Sequence, residues 1–276
     1  MDLVSICIPT YNNEKTIQQT IESVVSQSYK NMEILIIDDA SSDQTLSIVE
    51  NIHDTRIRVI ENEKNLGMVA NWNKCIHEAS GEYIKLLCAD DILYADAIRI
   101  EVAILRKHKD VTLVESNTRL INDEYKPIGA FNRFPWFGKM DGKRLAKTSL
   151  MLNNFFGAPC ANMFRKKDAM AVGGFDEKFT YILDFDLWVS LASIGKVYIL
   201  PVALHGFMVR QNSNTDQMIN SNQDVYVEEH KNLVQKHQER EVLRISDLEV
   251  TFSVFCRKLR NQMIRYYMHY FMRTSK

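Results

Sequence analysis

The chain has 276 residues, 46% hydrophobic and 25% charged, enough to bury one sizeable core and carry a further segment. Its 34 basic and 35 acidic residues nearly cancel, so no global field selects for nucleic acid. No apolar run approaches the ~18 residues that span a bilayer, and five scattered cysteines, an odd number without CxxC spacing, exclude a disulfide framework and a structural zinc site.

The opening MDLVSICIPTYNN carries no charged leader and no small-residue cleavage site, so it reads as a first strand, and the expected location is the cytosol. Residues 3 to 117 then alternate β-branched runs with helical patterns, the signature of βαβ units on a mostly parallel sheet. Strands are predicted at Leu3 to Ile8, Glu33 to Ile37, Arg56 to Ile60, Tyr83 to Leu87 and Val111 to Glu115. Ile17, Ile21, Val24 and Val25 form one apolar helical stripe between the first two, with Asn12 or Asn13 as its cap. Past residue 117, Pro127, Pro135, Pro159 and several glycines break the periodicity, and short strands and loops are expected. A helix follows from Tyr181 to Ile194 and a strand from Val197 to Leu200, and after Asp216 the chain reads as helical to its end.

An open α/β sheet binds ligands beyond the carboxyl ends of its strands. Here those ends are polar and acidic: Pro9-Thr10-Tyr11-Asn12-Asn13, then Asp38-Asp39-Ala40-Ser41-Ser42-Asp43, then Cys88-Ala89-Asp90-Asp91. The first glycine is Gly67, which excludes both common glycine-rich phosphate cradles after the first strand. Asp90 and Asp91 would repel each other and a diphosphate unless a divalent cation sat between them, and hard oxygen ligands suit Mg²⁺ or Mn²⁺. Alone, the pair reads equally as a solvated turn; three polar strand ends meeting at one crevice give it more weight.

The segments VSICIPTYNNEKTIQQTIESVVSQSYKNMEILIIDDASSDQT, NEKNLGMVANWNKCIHEASGEYIKLLCADD, VGGFDEKF and YILDFDLWVSLA resemble inverting glycosyltransferase family 2, whose fold is GT-A. The resemblance covers roughly residues 3 to 215. It implies a catalytic unit over 1–215, with a nucleotide-sugar half (1–117) and an acceptor half (118–215), followed by a helical extension over 216–276. It further implies nucleotide contacts at Thr10, Tyr11, Asn12 and Glu14, a base contact at Asp39, and supporting contacts at Asn65, Gly67 and Asn71. Asp90 matches the sugar or ribose contact and Asp91 the metal ligand, for Mn²⁺ or Mg²⁺; an acidic residue common two positions before this pair is replaced by Cys88. Arg210 stands near the place of a histidine that often lies by the diphosphate, where it would clamp phosphate.

The segment from Tyr181 to Trp188 resembles the family's acidic segment before Leu-Trp, which implies Asp184 as the base, with Leu183 where a glutamate is usual. On a helix Asp184 and Asp186 project about 200° apart, so one base is favoured, with Asp186 the alternative. Trp188 shares Asp184's face and is expected to wall the site. The implied function is a metal-dependent inverting transfer of a sugar from a nucleotide diphosphosugar to a glycan or lipid-linked acceptor in surface polysaccharide synthesis. The departures at Cys88 and Leu183 leave a catalytically silent binding module as an alternative, and paired aspartates leave nucleotidyl transfer.

Lys258, Arg265, His269, Arg273 and Lys276 fall in one sector of a C-terminal helix, and Leu259, Met263, Tyr266, Tyr267 and Tyr270 in another. Such a helix suits an anionic membrane surface, or packs on protein, either the catalytic unit or a second copy of the chain.

Overall fold

The computed structural model describes residues 2–131, 136–210 and 223–274, the last helix beyond residue 263 by its backbone alone. In chain order the elements begin β1 (Val4–Thr10), α1 (Ile17–Val25), β2 (Met32–Asp38), α2 (Thr45–Glu50), β3 (Ile57–Glu61), α3 (Met68–Glu78), β4 (Tyr83–Leu86), β5 (Ile92–Leu93) and α4 (Ala97–Lys107). They continue with β6 (Val111–Ile121), β7 (Pro127–Phe131), β8 (Gly138–Asp141), α5 (Gly142–Met151), a 3₁₀ turn at Pro159–Ala161, β9 (Asn162–Arg165) and α6 (Lys166–Val172). The described residues close with α7 (Leu183–Ile194), β10 (Lys196–Met208), α8 (Gln223–Glu239) and α9 (Asp247–Thr274).

One sheet runs through the molecule in the order β3-β2-β1-β4-β9-β6-β10-β5, with β7 on β6 and β8 on β10. The first four strands are parallel, and β9 enters antiparallel between β4 and β6. Strand order reverses at β1: the chain leaves it for β2 on one side and returns to β4 on the other. Beyond the carboxyl ends of β1 and β4 lies a topological switch point, where open sheets hold ligands.

Alternation along the strands sorts the core onto the two faces of the sheet. Ile6, Ile8, Ile34 and Ile36 pack under α1 and α4, while Cys7, Leu35 and Ile37 pack under α3, α5 and α7. Leu233 and Val234 of α8, with Leu243 and Ile245 beyond it, are buried in the second of these clusters. These four side chains join the helical segment after residue 222 to the core.

The structure differs from the sequence reading in four places. The strand expected over 197–200 runs from Lys196 to Met208, because it pairs with β6 along nearly its whole length. The region expected to be strands and loops contains α5 and α6, whose short apolar faces are hidden among prolines and glycines. The helix expected over 181–194 begins at Leu183. The continuous C-terminal helix is interrupted between Glu239 and Asp247, where Glu241 and Arg244 take left-handed backbone angles (φ 57° and 47°); residues 216–222 lie outside the described residues.

Candidate active site

A cleft of about 550 Å³ opens at the switch point. Thr10 and Tyr11 enter it from the end of β1, Asp39 from β2, Asn65, Gly67 and Asn71 from the loop and helix after β3, and Asp90 from the turn after β4. Asp184 of α7 and Arg210, just past β10, also line it, while Trp72 and Leu183 supply apolar wall.

Asp39 is buried and held by three donors: Asn62 Nδ2 at 2.8 Å and Leu66 N at 2.8 Å on Oδ1, and Gly67 N at 3.0 Å on Oδ2. Gly67 takes φ 84°, which lets its N–H and that of Leu66 reach one carboxylate. Asn62 also meets Asn71 Oδ1 at 3.0 Å, and Asn71 Nδ2 donates to the Ile37 carbonyl at 3.1 Å. Asp39 is thus fixed as a rigid acceptor at the rim of the cleft.

Tyr11 is 49% exposed and lines the cleft rather than the core. Asn12 and Glu14 are committed elsewhere. Asn12 Oδ1 accepts from Ser42 N at 2.9 Å and Glu14 Oε2 accepts from Gln44 N at 3.1 Å, so both tie the loop after β1 to the loop after β2 and lie outside the cleft wall. The expected cap of α1 is also different: Asn13 Oδ1 receives Thr10 Oγ1 and Tyr11 N, and its carbonyl accepts from the N–H groups of Thr16 and Ile17.

Asp90 and Asp91 part company. Asp90 faces the cleft and pairs with Arg210 at 3.0 Å. Asp91 is fully buried, its Oδ1 accepting from Met208 N at 2.9 Å, and it is absent from the cleft wall. Its Oδ2 has no partner of normal hydrogen-bond geometry, the Cys160 thiol alongside being only a weak donor. Burial raises both carboxyls, Asp91 well above the usual range and with Asp90 adding to it, while Arg210 pulls Asp90 back. The Cys88 thiol is raised well above its ordinary value by burial, then by Asp91, Asp90 and Asp184.

Ligand atoms of Cys88, Asp90 and Asp91 all lie within 4.8 Å of one another. Two carboxylates, one with an orphaned buried oxygen, and a thiol in a pocket short of positive charge fit a divalent cation.

On α7 the two aspartates oppose one another, as their spacing requires. Asp184 lines the cleft. Asp186 is buried on the far side against Lys236 at 2.7 Å and His237 at 3.2 Å. Trp188 does not wall the site: it is fully buried between Phe164 and Phe175, with ring centroids 5.5 and 6.5 Å away. Its large apolar ring is drawn into the core, and the adjacent wall is made by Leu183, Tyr181 and Trp72 instead. Sequence reasoning missed Tyr181, Trp72 and Thr180 as cleft residues; each reads in sequence as an ordinary helix-start or core residue.

Among the described residues no helix is long and apolar enough to cross a membrane, and all five cysteines are free.

Known proteins resemble the chain in sequence and in fold. The chain is 30% identical over 192 residues to UDP-Glc:alpha-D-GlcNAc-diphosphoundecaprenol beta-1,3-glucosyltransferase WfgD of Escherichia coli, covering 68% of this chain and 69% of that one. Its fold matches S. aureus TarS 1-349 in complex with UDP-GlcNAc with a TM-score of 0.68 at 18% identity, over 88% of this chain and 70% of that one. It matches the mannosyltransferase PcManGT of Pyrobaculum calidifontis, in complex with GDP-Man and Mn2+, with a TM-score of 0.63 at 16% identity, over 92% and 73%. These likenesses establish the GT-A fold. Residues 5–173 match the family described as Glycosyl transferase family 2, and the chain belongs to that family of glycosyltransferases.

Proposed function

We propose that the chain moves a sugar from a nucleotide diphosphosugar to a hydroxyl of a glycan or lipid-linked acceptor, in a single displacement that inverts the anomeric centre. One observation carries the reading: a carboxylate on α7 and the polar ends of the parallel strands line one cleft at the switch point of the sheet. Asp39 and the Gly67 loop would seat the base, and Thr10 and Tyr11 would border the nucleoside. Asp90, with Cys88 and the free oxygen of Asp91, would hold Mn²⁺ or Mg²⁺. When bound, such an ion supplies Lewis-acid neutralisation of the departing diphosphate. Arg210 adds a cation borne by the protein itself on the same side of the cleft.

Asp184 takes the proton of the acceptor hydroxyl as its oxygen attacks the anomeric carbon and the nucleoside diphosphate leaves. Leu183, Tyr181 and Trp72 restrict water at that end of the cleft. Exchange of Asp184 for Asn should lower transfer at least about a hundredfold, within the usual range for a lost general base, while leaving donor affinity within about twofold. The donor is chosen from UDP-, GDP-, CDP- and dTDP-sugars by thermal shift with Mn²⁺, and transfer is then followed as nucleotide release. Wild-type rates in Asp184→Asn would refute the assignment.

The lipid-linked acceptor class is supported by α9. Leu248, Phe252, Phe255, Leu259 and Met263 are all exposed, at helical spacings that put them on one outward stripe, and Lys258 lies beside it. We place an anionic membrane face against this stripe.

A further inference from the structure

We propose that α8 is a positioning element of the transfer reaction, with Glu229, Lys236 and His237 fixing the segment from Asp176 to Asp186 so that Asp184 meets the cleft. The inference rests on the reading of Asp184 as the base.

Between α6 and α7 the chain passes Gly173 and Gly174, both left-handed (φ 97° and 69°), and then runs without regular structure to Leu183. This stretch carries Thr180 and Tyr181 onto the cleft wall. The residue that opens α7, Ile182, provides no side-chain cap. The stretch leading into α7 is held from a helix about 50 residues away in sequence: the two carboxylate oxygens of Glu229 accept one N–H each, from Thr180 at 2.8 Å and from Tyr181 at 2.9 Å. Lys236 donates to Asp176 at 2.8 Å and to Asp186 at 2.7 Å, and its ammonium stands 5.4 Å from the centre of the Phe179 ring. His237 reaches the other oxygen of Asp186 at 3.2 Å.

Glu229, Lys236 and His237 are spaced i, i+7 and i+8, so one face of α8 grips the beginning, middle and end of the segment. Because Asp184 and Asp186 project from opposite sides of α7, pinning Asp186 to α8 fixes the rotation of α7 about its axis. That rotation aims Asp184. An apolar contact of equal area would hold α7 down without setting this angle, and orientation is what buried charged pairs supply better than stability.

The test uses the full-length chain. Glu229→Gln leaves one acceptor oxygen and turns an amide donor towards an N–H; Lys236→Met keeps length and removes charge; Lys236→Arg restores it. Four quantities are read: kcat, affinity for the best-binding nucleoside diphosphate, melting temperature, and hydrogen exchange by peptide. The expected result is a kcat at least tenfold lower in Glu229→Gln and Lys236→Met, with nucleotide affinity within twofold. Exchange should rise across 176–186 and stay unchanged in β1 and β2, and Lys236→Arg should recover most of the rate. A kcat within twofold of wild type in the folded variants overturns the proposal. So does a parallel decline of nucleotide affinity, sheet protection and kcat, which marks general destabilisation. Should Lys236→Met fail to fold, Glu229→Gln decides alone, since it strands no charge. A wild-type chain that neither bound nor turned over any sugar nucleotide would refute the functional reading instead, and unaltered exchange over 176–186 in Glu229→Gln would then overturn the clamp as well.

Discussion

Cys88, Asp90 and Asp91 crowd three groups that can each become anionic, with Arg210 paired to Asp90 beside them. The thiol is the least able of the three to carry charge there, since burial and the adjacent carboxylates both oppose its ionisation. A carboxylate in its place would bring a hard oxygen ligand that gives up its proton more readily than a thiol. Cys88→Asp is therefore expected to bind Mn²⁺ at least about tenfold more tightly, by the ordinary dependence of cation affinity on ligand charge. The same exchange should lower the melting temperature when metal is withheld, as three carboxylates then repel. Titration of Mn²⁺ by paramagnetic resonance measures the affinity directly, and an unchanged dissociation constant would show that this cluster does not hold the ion. At this scale the spacing of residues was informative and their surroundings were not. Spacing alone separated Asp184 from Asp186, whereas nothing in sequence distinguishes Asp90, facing the cleft, from Asp91, turned inward to the backbone of Met208.

Over its described side chains, α9 turns unlike residues inward and outward. Its inner face packs Ser253 and Arg257, the serine donating to the Leu150 carbonyl at 2.6 Å and the arginine to Tyr226 Oη at 3.1 Å. Its outer face leaves Leu248 83% and Phe255 61% exposed. At its amino end a second cavity, of about 640 Å³, is lined by Lys143, Arg144, Lys147 and Arg244, of which Lys147 is paired with Glu249. Basic groups next to an apolar stripe suit an anionic bilayer. Phe252→Glu with Phe255→Glu should abolish flotation with vesicles containing phosphatidylglycerol, because each interfacial phenylalanine is worth roughly 1.5–3 kcal/mol when buried. The melting temperature should hardly move, since neither ring is in the core. Equal flotation of the variant and the wild type, or none by the wild type, would remove the membrane from the proposal. The basic sector read from the sequence over Lys258 to Lys276 lies mostly among side chains outside the described residues; the cations around the second cavity come from α5 and the turn before α9, too far apart in sequence for a helical wheel to join them.

Over the whole molecule, the first half of the chain was legible because its strands alternate cleanly and its acidic residues follow them directly. The other half was not, since α5, β9, β10 and the C-terminal helices are assembled by contacts between distant segments. β10 takes its length from β6, and α8 takes its place from α7. This assembly has a consequence for pH. His230 of α8 is buried with its ring stacked on Phe185, 6.4 Å between centroids and 6° between planes. Its Nε2 lies 2.8 Å from Ser253 Oγ, whose own proton goes to the Leu150 carbonyl, so Nε2 is the protonated nitrogen. Burial, aided by Arg257, lowers its pKa well below the usual value. The unfolded chain therefore takes up the proton first as pH falls below about 6.5, and folding stability drops with it by up to about 1.4 kcal/mol per pH unit. Asp90 and Asp91 act in the opposite sense, because their raised values make the folded chain the better proton acceptor at acidic pH. Overall stability thus mixes two signs, and a variant separates them. His230→Gln should be less stable than the wild type at pH 7.5, and the gap should narrow by about 1.4 kcal/mol at pH 5.5, where the wild type alone bears the cost of a neutral buried imidazole. Urea unfolding at the two pH values reads the difference; a gap of constant width would mean that His230 takes up its proton alike in the folded and unfolded chain and that α8 meets α7 less closely than its stacked ring requires.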